Sequence, residues 1–95
     1  MTSKQRSYLM KLASPLDSIL QIGKSSLTPE VTAAVDEALE ARELIKINLL
    51  KNSPDDGKEV AATLAERTHS QVVQVIGRKI VLYRESKTKK KILLP

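Results

Sequence analysis

The sequence predicts an α+β fold, a two-layer α/β arrangement in the order α-β-α-β-α-β-β around a four-stranded mixed sheet. Three observations carry this. Apolar runs ending at Ile22 and Leu50 are each followed by a hydroxyl–proline pair, Thr28-Pro29 and Ser53-Pro54, which suits a helix start. Past each pair, apolar residues recur at helical spacing. Near the end, two runs rich in β-branched residues flank Gly77-Arg78, a two-residue hairpin turn.

In chain order, Thr2 with Gln5 forms a capping box. Tyr8, Leu9, Leu12 and Ala13 then make a stripe, so a helix spans roughly 3–13 and stops at Ser14-Pro15. Lys4 and Lys11 share its wet face. Ser18–Ile22 is the first strand. The second helix runs from the Thr28 cap to about Arg42, with Val31, Ala34, Val35, Ala38 and Leu39 inward and Glu30, Asp36, Glu37 and Glu40 outward. Leu44–Leu50 alternates as a strand, its second face only partly wet because Leu44 and Leu50 join Lys46 and Asn48 there. After Lys51-Asn52, Ser53-Pro54-Asp55-Asp56 opens a third helix that ends at Thr68-His69. Gly57 weakens its first turn by about 1 kcal/mol relative to alanine. Val72–Ile76 and Lys79–Arg84 are the hairpin strands, with glycine at the first central position, as a type II′ turn requires. The chain thus reads as one domain over 1–84. The lysine-rich remainder, 85–95, is expected to be a mobile tail, because Ile92-Leu93-Leu94 is too short to fold alone.

Ninety-five residues suffice to bury roughly two thirds of the unfolded surface. Without cysteine there are no disulfides and no thiolate metal ligands. The polar start has no apolar run of a signal peptide behind it, and no segment reaches membrane-span length, so a soluble cytoplasmic protein is expected. The net charge of +5 is unevenly spread. Residues 1–28 carry four bases against one acid, 29–66 four against nine, and 67–95 eight against Glu85 alone. Basic ends around an acidic middle fit cations collected on one partner-facing side. Tyr8 and Tyr83 are the only aromatic residues, too few to read bases by stacking, so any nucleic acid would be held by its backbone.

Parallel β-α-β crossovers place the ends of the first three strands at one edge of the sheet. The loops Gly23-Lys24-Ser25-Ser26, Lys51-Asn52 and Gly77-Arg78-Lys79 therefore meet there, each with a base, beside two helix N-termini. Glycine allows close backbone approach to a phosphate oxygen, and Lys24 adds a full charge. Gly23, Lys24, Ser25, Ser26, Thr28, Lys51, Arg78 and Lys79 form the candidate polyanion seat, with Lys4 and Lys11 as outlying candidates. No nucleophile–base pair, metal-ligand cluster or full phosphate-loop signature is present, and the sole histidine, His69, reads as a helix C-cap. The helix-surface carboxylates have no buried neighbour to tune them.

These residues resemble the bacterial YhbY-type proteins of the CRM domain class (chloroplast RNA splicing and ribosome maturation). The likeness runs from Thr2 to about Arg84 and is carried by Thr2–Arg6, Gln21-Ile22-Gly23-Lys24 with Leu27-Thr28, Ala38–Glu40 through Glu43–Ile47, Val73–Gly77 and Val81–Arg84. It implies an RNA-binding domain resembling the C-terminal domain of translation initiation factor three. Standalone bacterial members associate with precursors of the large ribosomal subunit. In the family the contact loop is Gly-x-x-Gly. Gly23 matches its first glycine and Lys24-Ser25 the variable pair, while Ser26 replaces the second. A positive φ at that position would strain serine but not glycine. The leading expectation is a non-catalytic, monomeric protein that takes structured RNA, and the resemblance implies ribosomal RNA of the large-subunit precursor. No cofactor, metal, membrane or small-molecule substrate is expected. The alternative is a protein-interaction module whose basic edge docks an acidic partner or ribosomal protein.

Overall fold

In the computed structural model, which describes all residues 1–95, the elements are α1 (Ser3–Ala13), β1 (Leu20–Ile22), α2 (Pro29–Arg42), β2 (Leu44–Leu49), α3 (Gly57–Thr68), β3 (Gln71–Ile76) and β4 (Lys79–Tyr83). The capping box closes as the sequence predicts: Thr2 Oγ1 accepts from the Gln5 amide and Gln5 Oε1 from the Thr2 amide, both at 3.1 Å. Thr28 Oγ1 caps α2 by accepting from the Val31 amide at 3.1 Å, with Pro29 at the first helical position.

α3 starts later than Ser53-Pro54 suggests. Its N-cap is Asp56, which makes no side-chain cap bond, and Ser53 Oγ is buried without a partner. Residues 50–56 are loop instead, and two of its residues, Asp55 and Asp56, are acidic. β1 is also shorter than read, although the Ile19 amide still bonds the Lys46 carbonyl at 2.9 Å.

The sheet order is β1-β2-β4-β3, with β1 parallel to β2 and β4 antiparallel to both β2 and β3. β4 takes the interior position because Ile80, Val81, Leu82 and Tyr83 are all buried and need cover on both faces. β3 carries Gln71, Gln74 and an exposed Ile76, and so tolerates the edge, where a bulge between Val72 and Gln74 interrupts its register. Gly77 has φ +55° at the first hairpin position and Arg78 a negative φ, in keeping with the predicted type II′ turn.

α2 and α3 cover one face over Val35, Leu39, Ile45, Ile47, Val60, Leu64, Ile80 and Leu82. α1 covers part of the other face, packing Leu9 and Ala13 on Leu44, Val73, Val81 and Tyr83. Tyr8 and Leu12, the other half of its predicted stripe, stay more than a third exposed. Arg6 fixes the helix to the bulge by donating to the carbonyls of Val72 and Val73, each at 2.9 Å.

The tail departs from the sequence expectation. Residues 85–95 form no helix or strand, yet the segment lies docked on the domain. Glu43 closes α2 at φ +67°, fully buried, and its carboxylate accepts from the amides of Ser86 (2.7 Å), Lys91 (2.6 Å) and Ile92 (2.7 Å). Glu40 accepts from the hydroxyls of Thr88 (2.7 Å) and Ser86 (2.8 Å). Ile92 and Leu94 then join the α1 side of the core. Composition hides this anchor because it is made by two carboxylates on a distant helix. No helix is long and apolar enough to cross a membrane.

Candidate nucleic-acid interface

Because β1, β2 and β3 all point the same way, the loops after them share one rim of the sheet. Backbone bonds tie these loops together. The Leu50 amide donates to the Ile22 carbonyl at 2.8 Å, and the Leu49 amide to the Arg78 carbonyl at 2.7 Å. Gly23 sits against the second loop: a Cβ there would lie 3.3 Å from Leu50 Cδ1 and 3.4 Å from Asn52 Oδ1. At the other side, a Cβ on Gly57 would lie 3.3 Å from the Gly77 carbonyl oxygen, so the start of α3 presses on the hairpin.

Within the first loop, the Ser26 amide donates to the Gly23 carbonyl at 2.9 Å, which closes a turn and leaves Lys24 and Ser25 exposed at its tip. Ser26 has φ +52°. The turn thus holds the left-handed conformation that glycine tolerates best, and serine carries it here. Its hydroxyl donates to an Asp55 carboxylate oxygen, which links the first loop to the second. Thr28 sits behind the turn with an oxygen engaged in the α2 cap, so its place is to hold the helix start.

Lys51 and Arg78 occupy the same shallow pocket, and the Arg78 guanidinium donates to the Leu50 carbonyl at 3.3 Å. Asp55 and Asp56 line that pocket too, so the rim is not purely basic. Even so, Lys24, Lys51 and Arg78 take part in no ion pair; the ion pairs are Arg84 with Asp36 and Glu40, and Lys90 with Glu85. The α2 N-terminus adds its partial charge beside Lys24, whereas Asp55 and Asp56 offset that of α3.

Three predicted residues stand elsewhere. Lys79 begins β4 but turns away from Arg78 toward the α1 face, where Nζ donates to Ser18 Oγ at 3.4 Å. Lys11 lines the cleft between α1 and the sheet on that face. Lys4 is brought to neither, because α1 starts at the far end of β3: its neighbours Gln5 and Arg6 bond Pro95 and the Val72–Val73 carbonyls. One cation was missed. Lys46 of β2 lines the same cleft as Lys11 and Lys79, and its alternation with Ile45 and Ile47 was the available signal.

A family model, the CRS1 / YhbY (CRM) domain, matches residues 1–84. The chain belongs to the CRM domain family. It is 45% identical over 95 residues to the "Probable RNA-binding protein YqeI" of Bacillus subtilis, covering all of this chain and 99% of that one. An "RNA-binding protein" of Haemophilus influenzae is 33% identical over 95 residues, covering all of this chain and 95% of the relative. Among solved structures, the protein SAV1595 of Staphylococcus aureus superposes with a TM-score of 0.83 at 52% identity, over all of this chain and 99% of that one. The turn at Gly23–Ser26 lies inside the matched residues, and here serine holds it with a hydroxyl bond across to Asp55.

Proposed function

We propose that this CRM-domain protein is a non-catalytic, monomeric RNA-binding protein of the cytoplasm that grips ribosomal RNA during assembly of the large subunit. The observation that carries the reading is the rim. Three loops distant in sequence are bonded to one another and expose Lys24, Lys51 and Arg78 without ion-pair partners. Such a set suits phosphate oxygens, with the α2 N-terminus in support. Base stacking contributes little, because Tyr83 is buried and that leaves Tyr8 as a single exposed ring. Selectivity then comes from the shape of a folded RNA. The RNA-binding names of the Bacillus and Haemophilus relatives support the partner class. The family resemblance supports the large-subunit precursor.

Lys24→Glu tests the loop. With a labelled large-subunit ribosomal RNA fragment, the variant binds more weakly, and its log–log salt slope is smaller by about 0.7–0.9 for the lost phosphate contact. Its folding stability stays within about 0.5 kcal/mol of the parent, because the side chain is exposed. Unchanged affinity removes the loop from the interface. Nuclease treatment checks the partner: co-purification with ribosomal particles ends when the RNA is digested, whereas survival assigns the rim to a protein partner.

A further inference from the structure

Strand alternation sends Lys46 to the sheet face opposite α2 and α3. α1 covers only part of that face, over Leu44, Val73 and Tyr83. Its C-terminal turn ends above Lys46, whose Nζ donates to the Ser14 carbonyl at 3.3 Å. The uncovered part of the face and the flank of α1 enclose an open cleft of about 510 Å³. Met10, Ala13, Ile76 and Val81 give it an apolar lining, and Lys11, Lys46 and Lys79 supply three cations. No carboxylate lines it, and none of the three lysines is in an ion pair. Ile76 is 59% exposed at its mouth.

We propose that this cleft is a second phosphate-binding seat, in which Lys11, Lys46 and Lys79 hold the backbone of the same RNA that the rim engages. The inference rests on the RNA-binding reading and extends it from the rim to the α1 face. Three points argue for it. The chain passes directly from Arg78 on the rim to Lys79 in the cleft, so a strand held at the first enters the second without a gap. Three like charges around one concavity repel each other, and that unfavourable arrangement is relieved by a bound polyanion. The apolar lining packs the lysine stems, while their heads have no carboxylate partner.

The test compares Lys46→Gln, Lys11→Gln/Lys46→Gln and Lys46→Arg with the parent and with Lys24→Glu. Each is titrated with the same labelled large-subunit ribosomal RNA fragment across a salt series. Lys46→Gln lowers the salt slope by about 0.7–0.9 and the double variant by about twice that, while Lys46→Arg keeps the parental slope. Thermal unfolding of each variant checks that the fold stays intact, and Lys79→Gln repeats the slope measurement from a second strand. Parental slopes in Lys46→Gln, the double variant and Lys79→Gln, with Lys24→Glu impaired, overturn the cleft and leave the rim reading in place. Impaired cleft variants beside a parental Lys24→Glu uphold the cleft and overturn the rim. A parent protein that does not bind the RNA overturns both.

Discussion

At the scale of single residues, two non-glycine side chains at positive φ carry the account. Ser26 (φ +52°) closes the rim turn, and Glu43 (φ +67°) closes α2. Left-handed backbone costs a β-carbon residue about 1 kcal/mol or slightly more. At Ser26 the hydroxyl bond to Asp55 offsets part of that, since a typical net hydrogen bond contributes about 1 kcal/mol. Ser26→Gly therefore stabilises the Asp55→Ala background by about 1 kcal/mol and the parent by distinctly less, as read by urea denaturation. Equal gains in both backgrounds mean that the Ser26–Asp55 bond contributes nothing. Position 26 was legible as a strained site because the resemblance carried by Gly23-Lys24 implies glycine there. Glu43 was not, since nothing in Arg42-Glu43-Leu44 marks a sharp helix-to-strand turn without glycine.

At the scale of elements, the tail is the largest revision. Burial pushes the Glu43 carboxyl upward, but the amides of Ser86, Lys91 and Ile92, with the Lys90 charge, outweigh it and leave the group below the ordinary carboxylate range. The Thr88 hydroxyl, then that of Ser86 and the nearby amides, hold Glu40 at about 2. Both pKa values are depressed in the folded state. Their stabilisation of the docked tail is therefore complete above about pH 4.5 and is lost on acidification below it, in the case of Glu40 as pH falls toward about 2. Amide protection of Ser86, Thr88, Lys91 and Ile92 falls in that window before the sheet amides lose theirs; protection that persists at pH 2 contradicts the carboxylate anchor. Glu43→Ala does the same at neutral pH. Release of the tail returns its amides to water, so the cost stops at undocking and trypsin cuts at Lys87–Lys91 roughly tenfold faster on a folded domain. Helix ends set by caps were legible, as Thr2/Gln5 and Thr28-Pro29 show. Ser53-Pro54 misled because the same dipeptide also suits a loop, and only the contact of Gly57 with the hairpin decides where α3 begins. The interior place of β4 follows from apolar residues on both its faces, which Lys79–Arg84 displays in sequence but which only the packing of α1 explains.

At the scale of the whole molecule, charge is sorted by position in the fold. Lys24, Lys51 and Arg78 stand at the ends of parallel strands, while Glu40 and Glu43 hold the tail at the opposite end. The meeting of the three loops was legible from element order alone, because two crossovers of one hand leave little choice. The direction of individual lysines was not, which is why Lys79 and Lys11 belong to the α1 cleft and Lys4 to neither site. On the proposed reading, loops from three parts of the chain act as one grip on RNA. Titrating the ¹⁵N-labelled protein with a large-subunit ribosomal RNA fragment and following amide shifts tests it most directly. The largest shifts are predicted together at Gly23–Ser26, Lys51–Asn52 and Gly77-Arg78, with the outer faces of α2 and α3 unmoved. Shifts centred on those acidic outer faces, or at one loop with the other two silent, would contradict it.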